Sequence, residues 1–175
     1  TAFVDRFISS ENQYFQRKEE MLQEINKFLK KNYNMDITAS MNCLDSKNKG
    51  LSGLYLTVLG TSADNADSGQ VGRGNMASRV ISPRRPAGSE ATAGKNPVSH
   101  IGKIYNALSF KIANEIHAKV SGLDEVCVWM YNVIGRPVND PKAVIVQPTI
   151  SGQLQNAEKN QINDIVEKNL QNISQ

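Results

Sequence analysis

The sequence is poor in the residues that most directly announce a chemistry. Its 175 residues hold two cysteines, two histidines and one tryptophan. Cys43 and Cys127 stand far apart and match no metal-ligand spacing, so neither a zinc finger nor a zinc ribbon is indicated. Each lies in an alternating, strand-like run, which reads as a small buried thiol in a reducing cytoplasm rather than half of a disulfide. No apolar run approaches the length of a membrane span. Nor is charge of one sign in large excess: 20 Lys and Arg against 17 Asp and Glu leave a net +3. On the first helical run Arg17, Lys18, Lys27, Lys30 and Lys31 are interleaved with Glu19, Glu20 and Glu24, the pattern of a solvated face with local ion pairs. Aromatics are only 6% of the chain, and Trp129 falls in a strand pattern that suggests core rather than a base-stacking platform, so nucleic acid is disfavoured as a partner. What remains is the composition of an ordinary globular domain, long enough for a single core.

Periodicity supplies the elements. Ala2 to Ile8 reads as a short strand. Ser10 with Gln13 makes a capping box, and Tyr14, Met21, Leu22, Ile25, Phe28 and Leu29 set one apolar face of a helix ending near Lys31. Asp36 to Asn42 and Leu54 to Leu59 both alternate and flank the turn cluster Asp45 to Gly50, so they read as an antiparallel pair. A helix is expected from Pro97 to about Val120, with Asn96 as N-cap and Ser121-Gly122 as its stop. Strands follow at Val126 to Ile134 and Ala143 to Gln147, then an amphipathic helix carrying Ile162, Ile165, Val166 and Leu170. The order β-α-β-β-loop-α-β-β-α argues for an α+β fold, a mainly antiparallel sheet with helices packed on one face. Val126, Val128 and Met130 alternate with Cys127, Trp129 and Tyr131, so both faces of that strand suit burial.

Between these elements, Gly60 to Asn106 is dense in Gly, Pro, Arg and small polar residues, the composition of a phosphate site. Glycines let backbone N–H groups approach an anion, and Arg73, Arg79, Arg84, Arg85 and Lys95 supply charge. Lys95 is best placed, beside the partly positive start of a helix. Two phosphate motifs fail here. Gly88 and Gly94 enclose five residues and Asn96 follows Lys95, so this is not a Walker A loop. Gly69, Gly72 and Gly74 have the wrong spacing for a dinucleotide fingerprint and run into Pro83 and Pro86 instead of a helix.

The segments GTSA (60–63), Asp67, GxVGRGN (69–75), Arg85-Pro86, EAxAGKNPV (90–98), HIGKIYN (100–106) and IGRPV (134–138), in this order, resemble the archaeal branch of S-adenosylmethionine synthetase, methionine adenosyltransferase. The resemblance implies attack of the methionine sulfur on C5′ of ATP, with the triphosphate expelled and then hydrolysed to pyrophosphate and phosphate. It puts Arg73 and Lys95 on the triphosphate and Asp67 near the methionine portion, where a turn role competes. Gly69 and Gly72 are conformational members of the same site, and Gly94 belongs to it as well. Asn75 and Asn96 either position substrate or cap, and Lys103 points along the site or into solvent. Glu90 either assists a cation or balances Arg84 and Arg85. The implied cofactors are Mg²⁺ and K⁺, the partners ATP, L-methionine and a second copy joined through a sheet face, and the compartment the cytoplasm.

Neither His100 nor His117 lies in the family's Gly-His-Pro-Asp context. Residues 1–175 are therefore expected to be the C-terminal part of a longer enzyme, with the phosphate loop at about 60–96, and to be inactive alone. Bacterial members carry Lys after Gly-Arg and a Lys-Val-Asp string further on; here Gly74 and Ser99-His100-Ile101 stand instead, so no metal ligand is carried over. Two other classes compete: a domain that binds nucleic-acid phosphates, and a structural dimerisation module.

Overall fold

The computed structural model describes residues 3–57, 76–77, 83–88 and 90–173. Instead of the single core that its length allows, the chain divides into two compact units, Thr1–Ala66 and Asp67–Gln175.

The first unit holds β1 (Phe3–Val4), α1 (Glu11–Asn32) and β2 (Leu56–Thr57). Ser10 caps α1 by accepting from the Gln13 N–H at 3.2 Å, while Gln13 Oε1 accepts from the Ser9 N–H at 2.7 Å. The expected capping box thus closes its second half one residue early. Of the apolar face expected on α1 only Tyr14 is buried, and Met21, Ile25 and Phe28 are exposed. No strand forms at residues 36–42. A strand exists only with a ladder partner, and β2 pairs in parallel with β1 instead, through Phe3–Leu56 and Val4–Thr57.

What ties the 42–55 segment to α1 is polar. The Tyr14 hydroxyl donates to Asp45 Oδ2 at 2.8 Å and accepts from Asn42 Nδ2 at 2.8 Å. Lys18 Nζ donates to the same Asp45 oxygen at 2.7 Å and to the Asn42 carbonyl at 2.8 Å. With the Asp45 side chain only 4% exposed, this is a buried ion pair whose hydrogen bonds offset its desolvation, not the solvated lysine its neighbours suggest. Burial, with the Asp45 hydrogen bond and charge adding and the Asn42 hydrogen bond opposing, pushes the Tyr14 phenol up to about 12. Elsewhere on α1 the expected surface pairs are present, Arg17 with Glu20 at 2.8 Å and Lys27 with Glu24 at 3.2 Å.

The second unit holds α2 (Ile101–Lys119), β3 (Leu123–Tyr131), β4 (Ala143–Ile150) and α3 (Asn156–Gln171). β3 and β4 form an antiparallel pair, with Val126 opposite Pro148, Val128 opposite Val146 and Trp129 opposite Ile145. Leu108, Ile112 and Ile116 recur every fourth residue along α2 and, with its C-cap Val120, make one core with Leu123, Ile162 and Ile165. Val126, Val128, Met130, Val146 and Ile150 pack against that core, so both helices lie on one face of the pair. α2 ends at Lys119 and the chain turns at Gly122, whose φ of +76° suits a residue without a Cβ. Buried Asn169 joins the helices by donating to Glu115 Oε2 at 2.8 Å.

The other face of β3–β4 is open within this chain. Trp129 is 39% exposed, Ile145 53% and Tyr131 60%. Trp129 is therefore not a core residue of this chain. The class is α+β with helices on one face of an antiparallel pair, and among the described residues the strand expected at 36–42 is missing from the order. Among the described residues no helix is long and apolar enough to cross a membrane.

Candidate functional site

The described part of the glycine-rich segment folds onto the first two turns of α2. A Cβ at Gly88 would fall 2.4 Å from Asn106 Nδ2, and one at Gly102 would lie 3.3 Å from both Cγ and Oε2 of Glu90. The segment approaches the helix this closely because those positions lack side chains. Met76 and Ala91 form an isolated antiparallel bridge, and Gly94 turns the chain with φ +70° immediately before Lys95.

α2 begins at Ile101, four residues later than expected, and its N-cap is His100 rather than Asn96. The His100 Nδ1 accepts from the Lys103 N–H at 3.1 Å, taking the place of a hydroxyl or carboxylate cap. Asn96 instead organises the preceding turn: its Oδ1 accepts from the N–H groups of Val98 at 2.8 Å and Ser99 at 3.1 Å. Pro97 lies in that turn, outside the helix.

Lys95 sits at the junction with its side chain 10% exposed and its Nζ 2.8 Å from Glu90 Oε1. Lys103 reaches back from the first turn of α2, its Nζ donating to the Lys95 carbonyl at 2.9 Å. That contact keeps the half-buried Lys103 beside Lys95. Arg85 is engaged elsewhere, its Nε 2.9 Å from Glu125 Oε1. The Tyr105 hydroxyl donates to the Val138 carbonyl at 2.8 Å and accepts from Asn132 Nδ2 at 2.8 Å. Burial raises the Tyr105 phenol, against the lowering pull of the Asn132 hydrogen bond. The HIGKIYN and IGRPV segments, far apart in sequence, are thus joined in the fold.

Along its whole length, residues 1–175, the chain matches the family model described as S-adenosylmethionine synthetase (AdoMet synthetase). It belongs to that family. Among its relatives, the S-adenosylmethionine synthase of Archaeoglobus fulgidus is 42% identical over 146 residues, covering 83% of this chain and 36% of that protein. That of Thermoplasma acidophilum is 41% identical over 176 residues, 99% of this chain and 44% of that protein. That of Pyrobaculum aerophilum is 37% identical over 178 residues, 100% of this chain and 43% of that protein. The chain therefore spans less than half the length of the curated relatives it matches.

Of the residues that the synthetase motifs single out, the structure brings together Gly94, Lys95, Asn96 and Lys103. Asp67, Gly69, Gly72, Arg73 and Asn75 lie outside the described residues. The sequence left Glu90 between several basic neighbours and did not single out His100, because imidazole is not among the usual cap side chains. An open groove of about 970 Å³ runs between residues 83–88, α2 and β3, lined by Arg84, Arg85, Phe110, Val126 and Val128 among others. Neither Glu90 nor Lys95 borders it, so the groove and the basic junction are separate features. Among the described residues no three His, Cys, Asp or Glu side chains gather as a metal site, and the Glu90 carboxylate is occupied by Lys95. These residues do not fit a resident cation by themselves.

Proposed function

We propose that this chain is the C-terminal part of an enzyme that makes S-adenosylmethionine from ATP and L-methionine, and that the junction before α2 receives the triphosphate. The observation that carries this reading is Lys95, a lysine kept only 10% exposed in the turn that precedes α2, inside a segment shaped by glycines. Membership of the synthetase family and the Gly94-Lys95-Asn96 string support it.

In this reaction the methionine sulfur donates a lone pair to C5′ as the C5′–O bond breaks. The bonding electrons leave on the triphosphate oxygen and the sulfur becomes a sulfonium. Such a displacement needs alignment of the reactants and stabilisation of the charge that grows on the leaving group. Lys95 supplies a fixed cation for that purpose and Lys103 holds its backbone; Arg73 is assigned to the same anion through the family motif. Asp67 is assigned to methionine, and Gly69, Gly72 and Asn75 to the loop around the phosphates, on the same basis. Mg²⁺ and K⁺ belong to the proposal as family cofactors.

Titration of the 175-residue chain with tripolyphosphate, with and without Mg²⁺, tests the reading. Saturable binding that Lys95→Ala weakens is expected, together with no turnover of ATP and methionine by this chain alone. Equal preference for duplex DNA, with the steep salt dependence of phosphate-backbone binding, would instead favour the nucleic-acid class. Indifference to both would leave a structural module.

Self-association through the open face of β3–β4 is part of the same proposal, because Trp129, Tyr131 and Ile145 form an apolar patch there. Sedimentation equilibrium should give a dimer that Trp129→Arg converts to monomer. A wild-type monomer at high micromolar concentration would remove this element.

A further inference from the structure

Glu90 is the acidic residue whose role composition leaves open, since Arg84, Arg85 and Lys95 are all near it in sequence. The geometry divides these cations. Arg85 is bonded to Glu125, and the Glu90 carboxylate lies 2.8 Å from Lys95 Nζ. The two members of the Glu90–Lys95 pair are unequally accessible, Lys95 at 10% and Glu90 at 37% of their side-chain surfaces. Its carboxylate rests over Gly102, where a Cβ would approach Oε2 to 3.3 Å, and a Cβ there would also meet His100 Cε1 at 3.1 Å. Lys103 Nζ therefore holds the Lys95 carbonyl, and Glu90 bonds its ammonium.

We propose that Glu90 is a displaceable counter-charge on Lys95, competing with polyphosphate for the ammonium and so limiting how tightly the site holds its anion. The inference rests on the reading that Lys95 receives a polyphosphate, and deepens it by naming the residue that sets the affinity. A phosphate oxygen that reaches Lys95 Nζ comes within a few ångströms of the Glu90 carboxylate, because both bond the same ammonium. Like charges this close repel appreciably even at an effective dielectric of about 20. A polyphosphate carries several such charges. Glu90 either swings out into solvent, which its exposure permits, or shares the three donors of the ammonium with the anion. Both routes weaken binding relative to a lysine without the carboxylate. For a site whose anion is a product that must leave, a weaker grip favours turnover, since tight binding of ground states adds nothing to the chemical step.

Calorimetric titration of the 175-residue chain with sodium tripolyphosphate, without Mg²⁺, tests this, with far-UV circular dichroism confirming that each variant is folded. Glu90→Gln keeps the shape and removes the charge, and should tighten Kd by about tenfold. Glu90→Asp keeps the charge and should stay within about threefold of wild type. Lys95→Ala should weaken binding, and Glu90→Gln should recover little in that background, because the ammonium being competed for is gone. A Glu90→Gln chain that binds no tighter than wild type, while Lys95→Ala weakens binding, overturns the counter-charge alone and leaves the phosphate reading intact. Unchanged binding in Lys95→Ala, or no binding by either wild type or Glu90→Gln, overturns the underlying reading and the counter-charge with it.

Discussion

Ile112→Ala should lower the stability of the second unit by about 2–5 kcal/mol, the range for emptying a fully buried aliphatic site. Ile112 is 0% exposed and lies on the face of α2 that packs against β3 and α3. Its loss removes apolar area from the core and leaves a cavity that can close only if two helices and a strand shift together. Ile112→Val, which deletes one methylene, should cost about 0.5–1.5 kcal/mol. Met21→Ala is the control. Met21 is 39% exposed on α1, and its substitution should fall within about 0.5 kcal/mol of wild type. The chain has one tryptophan, Trp129 on β3, so the fluorescence midpoint in urea reports the second unit specifically. An Ile112→Ala midpoint equal to that of wild type would mean that α2 does not build the core as described.

The same residues show what sequence can carry. Leu108, Ile112 and Ile116, and again Ile162 and Ile165, announce α2 and α3 by local spacing, and local spacing is what an amphipathic helix uses to find its core. Residues 36–42 alternate just as clearly and form no strand, because pairing is decided by what lies opposite, and β1 takes the place beside β2. Lys18 stands beside Glu19 and Glu20 and reads as surface, yet its partner Asp45 is 27 residues away and carries no local signal. Trp129 suits a strand, and its exposure depends on what covers the open face, which periodicity cannot report. At the site, the motif singled out Lys95, but Glu90 lies five residues from Arg85 and five from Lys95, so chain distance cannot choose between them. The choice is made by Gly94, which turns the chain, and by Gly102, which makes room for the carboxylate.

In the full-length enzyme proposed here, Lys95→Ala should reduce kcat by roughly 10²–10³, the usual loss when one preorganised charge stabiliser is removed. The size of the effect depends on when the charge appears. Triphosphate gains negative charge as the C5′–O bond breaks, so a cation fixed in the turn before α2 interacts more strongly with the departing group than with bound ATP. kcat should therefore fall further than KM for ATP rises, whereas a lysine that merely attracts nucleotide would raise KM and leave kcat alone. Arg73→Ala should behave in the same way, and Arg73→Lys should recover little if the guanidinium grips phosphate through its planar fork. Arg17→Ala supplies the comparison, since Arg17 lies on α1 in an exposed pair with Glu20 and its loss should leave both constants near wild type. Steady-state kinetics on the four variants, with ATP varied at saturating methionine, read the split directly. Wild-type turnover in Lys95→Ala and Arg73→Ala would take both residues out of the mechanism, leaving the family match as evidence of ancestry only.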